Sequence, residues 1–247
     1  MGELDGKVAV ITGAGSGMGK ASAKVFVREG VRGIIAADIS GAEDTTAAEL
    51  GEAVIPIHCD VRNEDDVIAM IDAAVQRFGR VDAVLNVAGI GMGKTFLEIT
   101  SDDYDRGMDI MMRGVFLGTQ HGIRAMLRTG GGVIVNWSSL AGLNASPRTS
   151  VYSAAKAGVI AVTKAAALEH GGDGIRVNAI CPGWVITEGM GKGIVYIKDE
   201  LEAKIPMQRI GEPTEIAEVA SFLCSARASY INGTVIPIDG GYSSRHP

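Results

Sequence analysis

The sequence predicts an α/β fold in which helices cover both faces of a mostly parallel sheet. Short continuous apolar runs, such as 8–11 and 133–135, are typical of strands buried on both faces. These runs alternate along the chain with stretches in which apolar residues recur at helical spacing. Of the 247 residues, 47 % are hydrophobic, and no break in composition separates two domains. We therefore expect one doubly wound domain over residues 1–247, built on seven strands.

The first strand leads into a glycine-rich turn and then a helix. The run 8–11 precedes Gly13-Ala14-Gly15-Ser16-Gly17-Met18-Gly19, and the helical pattern that follows stops at Gly30. In such an arrangement glycines let the backbone approach a pyrophosphate, and the helix N-terminus offers free N–H groups. The glycines are spaced G-x-x-x-G-x-G rather than G-x-G-x-x-G, and a plain glycine-rich turn is the alternative.

The second strand, 33–38, ends in a carboxylate that suits the ribose of an adenosine. Asp38 stands about twenty residues after the glycine turn, where an acid hydrogen-bonds both ribose hydroxyls and repels a 2′-phosphate. Neither Ala14 nor Ser16 offers a positive charge to such a phosphate. The sequence therefore favours NAD over NADP, with an N-cap role for Asp38 as the alternative.

The remaining elements follow the same alternation. Asn63 is placed to cap the helix after the third strand, and Glu212-Pro213 begins a late helix, with proline where its missing N–H does no harm. We expect further strands at 53–58, 81–85, 133–137, 176–180 and 234–238, and long helices over about 101–127 and 152–170.

Three polar residues are candidates for proton chemistry. Tyr152 and Lys156 are four residues apart and share one face of the helix 152–170, and Ser139 follows the strand that precedes it. An ammonium beside a phenol lowers the phenol pKa from its reference value near 10, which suits proton exchange with a carbinol oxygen. The Ser139 hydroxyl can hydrogen-bond the same oxygen. A surface tyrosine beside a solvated lysine is the alternative for the pair alone.

Taken together, these motifs resemble the short-chain dehydrogenase/reductase family in its compact, single-domain branch, and the resemblance covers nearly the whole chain. It implies a Rossmann-like fold, catalytic roles for Ser139, Tyr152 and Lys156, and no metal. Tyr152 would exchange the proton, Lys156 would also bind the nicotinamide ribose, and Ser139 would hold the substrate oxygen. The implied cofactor contacts are Gly13, Ser16, Gly17, Met18, Gly19, Asp38, Ile39, Asp60, Val61, Asn86, Ala88, Gly89, Tyr152, Lys156, Pro182, Gly183, Val185 and Thr187.

Two positions depart from the family pattern. Val87 replaces the second Asn of an N-N-A-G element, and Met111 stands where the resemblance implies an Asn in a proton relay from the lysine to solvent. A thioether accepts hydrogen bonds weakly and donates none. Either water reaches Lys156 by another route, through the backbone or Asn86, or proton release is slowed.

The loops after the fourth, fifth and sixth strands should surround the substrate. Gly91-Met92, 140–144 and 184–190 carry no cluster of Arg or Lys, which favours a small, uncharged alcohol or ketone. We expect a substrate loop over about 187–210. Its part 189–197 has three glycines and an apolar run, so it is either a lid that excludes water or an ordinary interface or core helix.

The bulk properties narrow the partners and the compartment. The formal charge is −6, which argues against nucleic acid or an anionic membrane surface. Three cysteines in apolar stretches fit a reducing cytoplasm, and we expect neither a signal peptide nor a membrane span.

Small residues lie on more than one face of the helix 152–170, namely Ala154, Ala155, Ala157, Gly158, Ala161 and Ala165. The resemblance implies a homotetramer built partly on such helices, and tight helix-on-sheet packing within one subunit is the alternative. For function, an NAD-dependent secondary alcohol dehydrogenase or ketone reductase stands beside a dinucleotide-binding sensor or scaffold with little turnover.

Overall fold

A computed structural model describes residues 2–188 and 194–244, the side chains of 194–197 excepted. Its centre is a seven-stranded sheet in the order β3-β2-β1-β4-β5-β6-β7, and every neighbouring pair of strands is parallel. The predicted doubly wound α/β fold is confirmed, and the sheet is parallel throughout. The strands are β1 Val8–Thr12, β2 Gly33–Asp38, β3 Val54–His58, β4 Ala83–Asn86, β5 Gly132–Trp137, β6 Ile175–Pro182 and β7 Val235–Ile238.

Helices cover both faces of this sheet. One hydrophobic core contains side chains of α1, α2 and α9, and the other contains side chains of α3, α5 and α7. The helices are α1 Gly17–Arg28, α2 Ala42–Leu50, α3 Glu64–Phe78, α4 Ser101–Met108, α5 Gly114–Thr129, α6 Leu140–Leu143, α7 Ser150–His170, α8 Ile194–Lys204 and α9 Pro213–Cys224.

Local sequence explains several of these boundaries. The Asn63 side chain accepts a hydrogen bond from Asp65 N–H at 3.0 Å and so caps α3, as predicted. Proline donates no ladder hydrogen bond, and the strands contain it at the sheet edges or at a strand end: Pro56 lies in the edge strand β3, Pro237 lies in the edge strand β7, and Pro182 is the last residue of β6.

The predicted helix 101–127 is interrupted in the structure. Between α4 and α5 the backbone forms a π-helical turn, Asp109–Arg113, and the fully buried Met111 lies in this turn. Such a turn inserts extra backbone into one face of a helix and is common at functional sites. The apolar spacing of the sequence carries no sign of it.

One stretch of the described residues, Ser150–Asp173, is apolar and long enough to span a bilayer by length and composition, with a mean hydropathy of 1.2. It consists mainly of α7, which packs on β5, β6 and α5 of the same subunit. Core helices of water-soluble proteins satisfy the same criterion.

The strand order places a switch point between β1 and β4, in the middle of the sheet. The connection from β1 runs to β2 on one side, whereas β4 lies on the other side of β1. In open parallel sheets, ligands bind beyond the carboxyl ends of the strands at such a point. The glycine turn, Asp38, Asn86 and Ser139 all lie at or just after these strand ends.

Candidate active site

The glycine turn between β1 and α1 is built for close backbone approach. Gly13 and Gly17 have φ of +68° and +50°, which side chains rarely allow. A Cβ at Gly19 would lie 2.0 Å from Gly13 O, so the helix starts directly against the turn. Ser16 is the N-cap of α1 and makes no side-chain capping hydrogen bond, and the first turn has no acidic residue. The N-terminal dipole of α1 therefore has no compensation from its own helix.

Thr12, which sequence reasoning did not single out, joins this turn to the loop after β4. Its buried hydroxyl accepts hydrogen bonds from Val87 N–H at 3.0 Å and Ala88 N–H at 3.1 Å. The sequence does contain a sign of this role, because Thr12 is a polar residue at the end of an otherwise apolar strand. The contact fixes Ala88 and Gly89 beside Gly13, where a Cβ would lie 3.1 Å from Ala88.

Asp38 ends β2 directly beside the glycine turn. Its Oδ2 accepts a hydrogen bond from Gly15 N–H and its Oδ1 accepts one from Ser40 N–H, both at 2.9 Å. The N-cap of α2 is Gly41, so the alternative role of Asp38 as an N-cap is wrong. A carboxylate has about four lone-pair sites, and two remain for a ligand such as a ribose. Ile39 beside it is half exposed.

Asp60 and Val61 follow β3 at the same edge. The Asp60 carboxylate is paired with Arg62 at 2.6 Å, and this pairing holds the pKa of Asp60 below its usual value. Val61 is buried, and it packs so closely on Gly114 that a Cβ there would lie 2.9 Å from Val61 Cγ2. These residues form a wall of the cleft beyond Asp38.

The Asn86 side chain points into the interior. Its Nδ2 donates to Asn136 Oδ1 at 2.8 Å and to Thr119 Oγ1 at 3.3 Å, and Asn136 in turn donates to Thr163 Oγ1 at 3.0 Å. This buried network positions the end of β4 between α5 and α7. The proposed route of protons through the Asn86 amide therefore has no support in these contacts.

Ser139, Tyr152 and Lys156 are brought together by β5, α6 and α7. Ser139 caps α6 by accepting a hydrogen bond from Ala141 N–H at 3.2 Å. Lys156 is buried and donates from Nζ to Trp137 O at 2.7 Å, and Nζ lies 5.8 Å from the centroid of the Tyr152 ring. The Ser138 hydroxyl, also missed from the sequence, donates to Lys156 O at 2.8 Å and holds this part of α7 against β5.

Burial sets the charges of this group. It raises the pKa of Tyr152 above its usual value, and the Ser139 hydroxyl acts in the opposite direction. Burial lowers the pKa of Lys156 to about 8. We expected the ammonium to lower the phenol pKa, but in the chain alone the pKa of Tyr152 is raised, because burial of the phenol is the largest effect on it. A cation bound beside Tyr152 would favour the phenolate.

Met111 closes one side of the space around Lys156. A Cβ at Gly89 would lie 3.7 Å from Lys156 Nζ and 3.9 Å from Met111 Cγ. The ammonium, the glycine and the thioether therefore surround one small volume.

Pro182 and Gly183 end β6, and Gly183 N–H donates to Ile238 O at 2.9 Å. Val185 is buried and forms an isolated bridge with Gly211. Thr187 lies over the glycine turn: its Cγ2 would be 3.3 Å from a Cβ at Gly17. The glycine-rich part of the expected lid, 189–193, lies outside the described residues, and 194–204 is the helix α8.

In the described part of the chain, the loops after β4 and before α7 carry two cations, Lys94 and Arg148, and both are engaged. Lys94 Nζ pairs with Asp103 at 2.7 Å. Arg148, with φ of +68°, donates to Gly93 O at 3.0 Å and so links the loop after β4 to the loop before α7.

The amino-acid sequence is similar to those of a known family and of known enzymes. The profile of the family described as enoyl-(acyl carrier protein) reductase matches residues 13–243. The chain is 39 % identical to meso-2,3-butanediol dehydrogenase of Serratia marcescens over 96 % of this chain and 95 % of that protein.

Two solved structures superpose closely. A short-chain type dehydrogenase/reductase from Mycobacterium marinum has a TM-score of 0.92 and 36 % identity, covering 98 % of this chain and 97 % of that one. A 3-ketoacyl-(acyl-carrier-protein) reductase from Brucella melitensis, complexed with NADH, has a TM-score of 0.90 and 36 % identity, covering 97 % and 99 %.

The fold and these matches define an oxidoreductase of the α/β dinucleotide-binding class. The chain belongs to the short-chain dehydrogenase/reductase family.

Proposed function

We propose that this protein is an NAD-dependent oxidoreductase that interconverts a secondary alcohol and a ketone by hydride transfer. The observation that carries the proposal is a desolvated Lys156 held 5.8 Å from the ring centroid of Tyr152, with Ser139 beside the phenol. The group lies at the carboxyl edge of the sheet, next to the glycine turn. A buried lysine whose pKa falls to about 8 is costly for a fold, and such groups are concentrated at functional sites.

The residues of this edge fit NAD. The N-terminus of α1, whose own first turn carries no acid, suits a diphosphate. The close turn at Gly13, Gly17 and Gly19 lets the backbone reach it, and Asp38 keeps lone pairs for the adenosine ribose. The negative charge of Asp38 disfavours the 2′-phosphate of NADP. When bound, the cofactor accepts or gives the hydride, and its oxidised form adds a positive charge near the site.

The chain's own residues would then handle the proton and the substrate oxygen. Tyr152 exchanges the proton, and Ser139 hydrogen-bonds the same oxygen. Lys156, fixed by Trp137 O, has further N–H groups for a ribose hydroxyl and favours the phenolate when it is charged.

We propose a small, uncharged alcohol or ketone as substrate. Among the described residues of the loops after β4 and before α7, the cations Lys94 and Arg148 are committed to Asp103 and to Gly93 O, so neither is free to bind a carboxylate or phosphate. The similarity to a butanediol dehydrogenase supports this class. The similarity to an acyl-carrier-protein reductase favours a second candidate, a ketone carried on a long acyl chain.

We further propose a cytoplasmic homotetramer, with residues 1–247 as one domain. Ala154, Ala157, Ala161 and Ala165 form an exposed stripe along α7. Beside its start lies a cavity of about 660 Å³ whose lining includes the exposed side chains Phe96 and Tyr104. We infer that a second copy packs against this stripe and cavity, and sedimentation velocity measures the resulting mass.

A panel of secondary alcohols and cyclic ketones, assayed with NAD(H) and NADP(H), tests the proposal. We expect turnover with at least one small substrate and a preference for NAD(H). Turnover only with β-ketoacyl thioesters would select the second candidate. Tight NAD binding with no turnover on either class would instead support a sensor or scaffold.

A further inference from the structure

An acidic side chain of the protein itself lies on the N-terminus of α1. Glu188 Oε2 accepts a hydrogen bond from Gly17 N–H at 2.9 Å, across 171 positions of sequence. Gly17 is the first residue of α1, and the neighbouring Thr187 lies against the same glycine. The loop after β6 thus contacts the glycine turn through two consecutive residues.

The contact has the chemistry of anion binding at a helix start. The cap Ser16 leaves the first N–H groups of α1 without a side-chain acceptor, and the first turn of α1 carries no acid. A carboxylate is the charged acceptor that such an N-terminus stabilises. Glu188 therefore supplies from a distant loop the negative charge that α1 lacks locally.

We propose that Glu188 is an internal competitor for the diphosphate site and a determinant of cofactor affinity. The inference rests on the proposed NAD function, in which the N-terminus of α1 receives the diphosphate. Gly17 N–H cannot donate a full hydrogen bond to both anions, and two negative groups at one helix start repel each other. Cofactor binding therefore requires Glu188 to leave Gly17.

Displacement of Glu188 has two consequences. The apparent affinity for the cofactor equals the intrinsic affinity multiplied by the fraction of molecules in which Gly17 is free, so it is lower than the intrinsic affinity. Because Thr187 precedes Glu188 directly, release of the carboxylate also frees the loop after β6 at the position expected to contact the nicotinamide end. Occupancy of the diphosphate site is thereby coupled to the loop that borders the substrate.

The test compares Glu188→Ala and Glu188→Gln with the wild-type chain by calorimetric titration with NAD. We expect Glu188→Ala to tighten NAD binding by about two- to tenfold. Glu188→Gln should tighten it less, because a neutral amide oxygen still accepts from Gly17 N–H, though more weakly than a carboxylate. Glu52→Ala is the matched control: it removes one exposed acid before β3, at the opposite edge of the sheet, and should leave the affinity unchanged.

Two smaller ligands test whether the gain in affinity is confined to the diphosphate part of NAD. Inorganic pyrophosphate should gain affinity in Glu188→Ala, whereas adenosine, which has no phosphate, should not. Equal NAD affinity in wild type and Glu188→Ala would overturn the inference and leave the proposed function standing, and so would an equal gain for adenosine. Absence of NAD binding in every variant would overturn both.

Discussion

Lys156 is a buried cation, and its replacement by methionine should stabilise the folded chain at neutral pH. Burial lowers the lysine pKa from 10.5 to about 8. A tenfold change in proton affinity corresponds to about 1.4 kcal/mol, so the charged form costs the fold roughly 3 kcal/mol. Methionine removes this cost but leaves Trp137 O without its donor, which costs about 1–2 kcal/mol. The net gain at pH 7 should be about 1–2 kcal/mol.

The gain should depend on pH in a defined direction. The folded pKa of Lys156 is depressed, so between about pH 8 and 10.5 the unfolded chain holds a proton that the folded chain has released. Wild-type stability therefore rises with pH through this window relative to Lys156→Met. Below about pH 8 the full difference is present, and by about pH 10 most of it has disappeared. At higher pH the variant should be the less stable chain, because only the lost hydrogen bond remains.

The assay is urea denaturation, followed by tryptophan fluorescence, of wild type and Lys156→Met without cofactor at fixed protein concentration, in steps from neutral to alkaline pH. Lys164→Met, an exposed lysine on the same helix, is the control and should change stability by no more than about 0.5 kcal/mol. A Lys156→Met chain that is less stable than wild type by the same amount at every pH would refute the account of Lys156 as a desolvated cation.

The remaining predictions concern the cofactor and the proton. Asp38→Ala combined with Ile39→Arg should shift preference from NAD toward NADP, measured as the ratio of the two kcat/KM values; equally tight NADP binding by wild type would contradict the role of Asp38. Because burial raises the pKa of Tyr152, the rate of alcohol oxidation should rise with pH across the alkaline range where hydride transfer limits the rate, and a flat profile would count against the phenol as base. Met111→Asn should change kcat by less than about tenfold, because Tyr152 is only partly buried and we expect it to exchange protons with solvent by a path other than Met111. A larger gain, above about 1.4 kcal/mol of barrier, would show that the relay is broken in wild type.

Much of the fold could be predicted because the strands are short apolar runs between turn residues. The bounds of β2 agree with the prediction, and those of the other strands differ by one or two residues at either end. Apolar spacing does not mark α2, because the buried residues of this helix include the polar Glu43 and Thr46. The π turn at Asp109–Arg113 could not be predicted, because it lies between α4 and α5 and leaves the apolar spacing within each helix unchanged.

In the candidate site, too, some features could be predicted from the sequence and others could not. Ser139, Tyr152 and Lys156 could be placed together because a strand end and one helix face are local properties of the sequence. The direction in which the Tyr152 pKa shifts could not be predicted, because it depends on how deeply the folded chain buries the phenol. The Glu188 contact with Gly17 joins two distant loops, and no local pattern encodes it.

Replacement of Tyr152 tests most directly whether this phenol exchanges the proton with the substrate oxygen. The measurement is kcat on the best substrate of the alcohol and ketone panel together with the Kd for NAD, for Tyr152→Phe and for Tyr104→Phe. Tyr104 is a half-exposed tyrosine on α4 that lies outside the group of Ser139, Tyr152 and Lys156. We expect Tyr152→Phe to lose about 10²–10⁴-fold in kcat with NAD affinity nearly unchanged, and Tyr104→Phe to keep both. A Tyr152→Phe enzyme that turns over at nearly the wild-type rate would contradict the mechanism.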